Sequence, residues 1–170
     1  MAKHLIRVRV NGESYVREVE SRLLLSDFIR DGLGLRGTHV GCEHGQCGCC
    51  TVLVDDESVK SCLILAVQAD GCEVVTVEAL ARDGQLHPLQ EAFRDHHAVQ
   101  CGFCTPGQLM NAAYLLRTNP DPTEAQIREG MAGNICRCTG YVNIIEAIKD
   151  AAGRMRERGS QGSALVPSNT

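Results

Sequence analysis

Apolar and polar residues alternate along the first twenty positions. Ile6, Val8 and Val10 fall on one face, Asn11-Gly12 is a hairpin-turn dipeptide, and Val16 and Val19 lie on the return strand. A short helix is expected over residues 24–30, with Gly32 placed to stop it. From Gly34 to Gly48 periodicity fades and glycine recurs, which predicts a loop. Residues 51–54 resume a strand, Asp55-Asp56 turns it, and residues 58–60 return. Ser61 then precedes a short apolar helix from Cys62 or Leu63 to about Gln68, and residues 74–77 make a last strand. Such a succession suits a small mixed sheet gripping one helix.

Past this point strand signals vanish and helix signals recur. His87-Pro88 opens a helix to about His96, with proline at its first position. Thr105 and Gln108, and again Thr123 and Gln126, have capping-box spacing, and the helices they open run to about Thr118 and Met131. A fourth begins near Gly140-Tyr141, with Ile144, Ile145 and Ile148 on one stripe. Four helices joined by short loops predict a four-helix bundle. The fold class is therefore α+β: a sheet unit over 1–78, a polar link over 79–86, a helical unit over 87–156, and a patternless, disordered tail over 157–170.

Composition removes several classes of function. Across 170 residues the net charge is −4, and the basic residues are scattered apart from Arg154, Arg156 and Arg158, read as a solvated helix end. A nucleic-acid surface is not expected. With no Trp and 4% aromatic residues the core is thin in aromatics, so bound metal should add to stability. The N-terminus lacks the continuous apolar stretch of a signal peptide, and no run is long enough to cross a membrane. A reducing cytoplasm is expected, where thiols bind metal rather than form disulfides. Gly32-x-Gly34-x-x-Gly37 matches a dinucleotide fingerprint by letter, but it neither follows a strand nor opens a helix. No Ser/His/Asp set, phosphate loop or paired carboxylates are found.

Eight of the ten cysteines fall into two sets of four. Cys42-x4-Cys47-x2-Cys50, completed by Cys62, repeats the plant-type ferredoxin spacing of an iron–sulfur cluster. Cys101-x2-Cys104 with Cys136-x-Cys138 is a rarer second set; zinc is the rival occupant, although Cys136-x-Cys138 is tight for a zinc knuckle. Gly41, Gly45 and Gly48 let the first loop curl so that N–H groups reach the sulfurs. Cys104 precedes one helix, and Cys136 and Cys138 precede another. Two helix N-termini at one spot would stabilise an anionic cluster and raise its potential. Of the remaining cysteines, Cys49 is expected to be small and buried with its side chain turned away from the cluster, and Cys72 to be a partly exposed thiol in a turn. His39 and His44 flank the first loop, and His96-His97 is read as a partner for a helix C-terminus.

Four stretches together resemble one family: residues 41–52, 61–63, 100–107 and 134–141. It is the small iron–sulfur subunit of the molybdenum hydroxylases, the xanthine oxidase and carbon monoxide dehydrogenase family, and the resemblance covers about residues 3–155. It implies a β-grasp, ferredoxin-like domain followed by a four-helix bundle, each with a 2Fe-2S cluster. It also implies a large partner subunit holding molybdenum–pterin and a medium one holding FAD, in a dimer of heterotrimers. Single electrons would pass from molybdenum through the cluster on Cys101, Cys104, Cys136 and Cys138. From there they would reach the cluster on Cys42, Cys47, Cys50 and Cys62, and then the flavin. By the same resemblance Gln100 and Cys138 contact the pterin, and no catalytic residue lies in this chain. The family carries a small residue such as Ala where this chain has Cys49. Around residues 43–45 and 65–71 the chain looks similar to bacterial enzymes acting on N-heteroaromatic compounds such as quinoline. Carbon monoxide dehydrogenase and aromatic acyl-CoA oxidoreductases are the alternatives within the family. A free-standing double-cluster ferredoxin and a zinc-stabilised adaptor are the alternatives outside it. The stretch Phe103, Pro106, Leu109, Met110 is expected to be buried, against a partner or within the bundle.

Overall fold

In the computed structural model, which describes residues 2–158, five strands form one sheet. They are β1 (Lys3–Val10), β2 (Glu13–Glu20), β3 (Thr51–Val54), β4 (Glu57–Lys60) and β5 (Glu73–Val75), in the order β2-β1-β5-β3-β4. β1 and β2 pair antiparallel from Val10↔Glu13 to Lys3↔Glu20. Asn11 and Gly12 both take positive φ, 54° and 85°, as the tight primed turn demands. β5 runs parallel to β1 and antiparallel to β3, which pairs in turn with β4.

The side-chain alternation of β3 and β5 divides the molecule into two cores. Val52 and Val74 face one side, joining Ile6, Val8, Val10 and Val19 beneath α1 (Leu25–Asp27) and the π turn that continues it over Phe28–Gly32. Their neighbours Leu53 and Val75 face the other side and join the helical core. The four helices on that side are α2 (Pro88–Asp95), α3 (Thr105–Thr118), α4 (Glu124–Gly130) and α5 (Val142–Arg158). They bury Leu89, Phe93, Met110, Ile127, Ile144 and Ile148 together, at about 1.5–3 kcal/mol per fully buried side chain. Val16, on the return strand, points outward and is exposed, whereas Val19 is buried.

Three expected elements differ, each because a distant segment intervenes. The helix expected through residue 68 is two 3₁₀ turns, Ser61–Leu63 and Ala66–Ala69, separated by extended backbone. That backbone is claimed by the stretch before α1: Leu25 N donates to Ile64 O at 2.7 Å and Ala66 N to Leu23 O at 2.7 Å. The last strand stops at Val75, because Asn11 clasps Thr76 through Oδ1 (2.8 Å) and Nδ2 (2.9 Å), and Val77–Ala79 turns into 3₁₀ geometry. The cap of α3 is Cys104, not Thr105, which is already helical and makes no capping box with Gln108. The Thr123–Gln126 box does form, at 3.3 Å and 2.8 Å.

The basic run at the end of α5 ties helices together. Arg154 pairs with Asp95 (2.9 Å) and Asp150 (2.6 Å), Arg158 with Glu91 (2.9 Å), and Arg156 with Asp121 (2.7 Å). His96 caps α2 but directs Nε2 to Asp150 across the helix pair at 2.9 Å. Ala79 and Leu80, at the start of the expected link, pack on the helical core. α5 includes residues 157 and 158, the first two positions of the expected tail; the rest of that tail lies outside the described residues.

The start of α2 carries a built-in pH dependence. His87 is its N-cap: Nδ1 accepts from Leu89 N at 3.2 Å, so that nitrogen carries no proton. Burial, with Arg82 and Arg158 nearby, pushes the His87 pKa down to about 4. Because the folded value is depressed, the unfolded chain takes up the proton first as pH falls. The contribution is complete above about pH 6.5 and is lost toward pH 4, at no more than about 1.4 kcal/mol per pH unit. His87→Asn keeps a capping acceptor, so urea midpoints measured at pH 7 and pH 5 should differ less in the variant than in the parent.

Candidate metal centres

The first cysteine loop runs between the π turn and β3 and is bent by positive φ at Glu43 (59°), Gly45 (78°) and Gly48 (72°). These turns aim backbone N–H groups inward, an anion-binding concavity. Cys47 N donates to Cys42 Sγ at 3.4 Å. The N–H groups of Cys47, His44 and Gln46 draw the Cys42 thiol down to about 6. Cys62 is delivered from the 3₁₀ turn after β4. Ser61 pins that turn to Cys50 O through N (3.2 Å) and Oγ (2.7 Å). Burial, then the neighbouring Cys50 thiol, push Cys62 up to about 11, opposed by the Gly45 N–H. Cys42 thus stands beside Cys47, and Cys62 beside Cys50.

The second set forms where the start of α3 meets the loop before α5. Cys138 and Cys101 bring their sulfurs to 3.5 Å, and both are exposed. Cys104 and Cys136 form the inner pair: burial, then Cys136, push Cys104 up to about 12. Burial pushes Cys136 upward, but hydrogen bonds from Thr139, the Cys138 N–H and Cys104 together outweigh it and the thiol lies below its usual value. Thr139 donates to Cys136 Sγ from Oγ1 at 3.2 Å and from N at 3.5 Å. Only α3 begins at a candidate ligand, Cys104. α5 starts at Val142, with Thr139, Gly140 and Tyr141 intervening, so the expected pair of convergent helix ends is reduced to one.

The two sets are joined by a seam of close contacts. Ile135 N donates to Cys47 O at 2.8 Å. The Gly48 carbonyl accepts from Asn134 Nδ2 (2.9 Å) and Thr51 Oγ1 (2.7 Å), while Gln108 Nε2 donates to Asn134 O at 2.8 Å. Gly107 of α3 packs on Gly48 so closely that a Cβ there would overlap its carbonyl oxygen and stand 3.0 Å from the Cys49 backbone. Lys60 reaches in from β4, donating to Thr51 Oγ1 at 3.0 Å and Asn134 Oδ1 at 3.3 Å. His39 stacks on Phe103 with centroids 4.9 Å apart and directs Nδ1 to its carbonyl at 2.8 Å.

Cys49 is buried in this seam, facing Cys47 of one set and Cys104 of the other, and burial followed by the Cys47 thiol pushes it up to about 12. The expected small buried residue is there, yet its side chain lies between the two sets rather than away from them. Cys72 is half-buried in a turn near Asp55 and Asp70. His44 directs Nδ1 to Cys42 O at 2.5 Å. Gln100 is exposed beside Cys101. Leu109 and Met110 are buried in the helical core, whereas Phe103 is exposed. Sequence reasoning missed Lys60, Asn134 and Gln108, whose partners lie in remote segments; Gln108 had been assigned to a capping box.

This donor chemistry fits two binuclear clusters. Thiols stand in two pairs per set, and a 2Fe-2S cluster divides four thiolates between two irons. Inward N–H groups, and Thr139 on Cys136, supply the hydrogen bonds that an anionic cluster draws on.

Comparison with known proteins agrees. A 2Fe-2S iron-sulfur cluster binding domain matches residues 8–74, and a second 2Fe-2S binding domain matches residues 76–149. The chain is 55% identical over 155 residues to caffeine dehydrogenase subunit gamma of Pseudomonas sp. strain CBB1, covering 89% of this chain and 93% of that protein. It is 53% identical over 150 residues to the nicotine 6-hydroxylase small subunit of Paenarthrobacter nicotinovorans, covering 88% and 90%. Among solved structures, a chain of quinoline 2-oxidoreductase from Pseudomonas putida 86 superposes with a TM-score of 0.89 at 49% identity, covering 92% of this chain and 98% of that one.

The same substitution at two glycines, one in the seam and one outside it, should act in opposite directions. Gly107→Ala should destabilise by about 1–3 kcal/mol, because the methyl group meets backbone that cannot swing away. Gly153→Ala, within α5 and with no atom within 4 Å of the new Cβ, should stabilise by about 0.5–1 kcal/mol. Urea midpoints of the two variants read both signs.

Proposed function

The chain belongs to the small iron–sulfur subunits of the molybdenum hydroxylases, and from that premise we propose how it serves such an enzyme. It conducts single electrons from a molybdenum–pterin site in a large subunit to FAD in a medium subunit. Cys101, Cys104, Cys136 and Cys138 hold the cluster nearer molybdenum; Cys42, Cys47, Cys50 and Cys62 hold the cluster nearer the flavin. Each bound cluster supplies a one-electron couple. The observation that carries the reading is the seam: Ile135 N on Cys47 O, and Gly107 against Gly48, set the two thiol groups side by side.

The surface supports a partner at each end. Within four residues of the exposed pair Cys101 and Cys138 along the chain, Val99, Phe103, Ile135, Tyr141 and Val142 are all exposed, more apolar surface than a freely diffusing carrier would keep. Gln100 and Cys138 lie in the same stretches and contact the pterin. Leu63, exposed over the first loop, marks the flavin side. In this assembly the sheet unit (1–78) is a β-grasp domain, 79–86 the link and 87–156 a four-helix bundle. Two such heterotrimers pair, in the cytoplasm. No helix among the described residues is long and apolar enough to cross a membrane. The substrate class is N-heteroaromatic, supported by similarity to proteins named for caffeine, nicotine and quinoline.

The test uses the assembled complex under anaerobic conditions with quinoline, nicotine and caffeine as probes. At least one should reduce both clusters. In Cys138→Ser, substrate should no longer reduce the cluster on Cys42, Cys47, Cys50 and Cys62, although dithionite still does. Unchanged substrate-driven reduction in that variant would contradict the path.

A further inference from the structure

Lys60 ends β4 opposite Thr51, so its side chain points to the same face of the sheet as Thr51 and Leu53, toward the helices. There it is half-buried in the seam, and Nζ donates to two neutral oxygens, Thr51 Oγ1 and Asn134 Oδ1. The negative charge that can form around it is that of thiolates: Cys50, Cys47, Cys62 and Cys49. Among the described residues no carboxylate pairs with it. A cation drawn out of water without a counter-ion is costly unless an anion arrives later. The sheet holds it across from Thr51, directly after Cys50, and two residues before Cys62, and Asn134 couples it to the loop that leads into Cys136.

We propose that Lys60 is the fixed positive charge that makes the first centre the electron-holding one of the two. This rests on reading Cys42, Cys47, Cys50 and Cys62 as ligands of a 2Fe-2S cluster. The first centre gains one electron as the second loses one, and no proton or bond changes hands. An ammonium nearby stabilises the state with one more negative charge, and net charge is among the quantities that set the potentials of such clusters. Lys60 stands across from Thr51, the residue after Cys50, and two residues before Cys62, whereas it reaches toward the second set through Asn134, so the charge acts unequally on the two. Electrons arriving from the exposed Cys101–Cys138 side are thereby drawn inward, toward the flavin end.

The experiment is a potentiometric titration of the assembled complex followed by electron paramagnetic resonance, which resolves the two centres. Lys60→Gln should shift the first-centre midpoint to more negative potential by about tenfold in the reduced-to-oxidised ratio, 59 mV for one electron, and shift the second centre less. Lys60→Arg, which keeps the charge, should leave both near the parent values. No shift in Lys60→Gln, or equal shifts of both centres, overturns the proposal. If Lys60→Gln fails to take up the first cluster, Lys60→Met, which keeps the apolar stem, gives the same reading. If both fail and Lys60→Arg restores uptake, charge is the cause and the proposal stands; if Lys60→Arg fails too, shape is the cause and it falls. A parent complex lacking the first-centre signal would sink the ligand assignment instead.

Discussion

The contact of Gly107 with the Gly48 carbonyl is the constraint on which the rest of the molecule turns. A helix start and a cysteine loop from opposite halves of the chain meet backbone to backbone, closer than any side chain would allow. Gly48 also needs its positive φ of 72° to turn the carbonyl toward Asn134 and Thr51, where it is fully hydrogen-bonded in a buried place. With Ile135 N on Cys47 O, the residue just before Cys136 in one set is tied to the carbonyl of Cys47 in the other. Bringing two anionic centres together is electrostatically unfavourable. The seam offsets this with N–H donors and with one ammonium, from Lys60.

The sheet makes that seam rigid. β3 leaves the first cysteine loop directly, and its alternation sends Val52 into one core and Leu53 into the other. β5 repeats the division with Val74 and Val75. Neither core closes without these strands, so the two units share them even though each carries its own cysteine set. The polarity of the site follows from the same layout. Cys50, Cys62 and Cys136 are buried, while Cys101 and Cys138 are exposed, which is the asymmetry that the proposed electron path draws on.

What could be read along the chain was local. The hairpin at Asn11-Gly12, the proline-started α2 and the Thr123 cap depend on residues a few positions apart, and they form as the pattern implies. The two cysteine groups that the structure brings together were legible for the same reason: thiols on short loops leave a spacing. What failed was set by distant partners. Asn11 ends β5 at Val75 by capturing Thr76, and Leu23 splits the expected helix by taking the amide of Ala66. The roles of Lys60, Asn134 and Gln108 carry no local signature, and the capping-box spacing of Gln108 misleads, since each acts on a segment remote in sequence.

The account stands or falls on the two centres being held side by side. Low-temperature electron paramagnetic resonance of the fully reduced complex measures this directly, because two nearby unpaired spins split each other's lines. Split signals that lose their splitting when only one centre is reduced are the predicted result. Two signals that stay unsplit at every temperature would place the centres apart and contradict the seam.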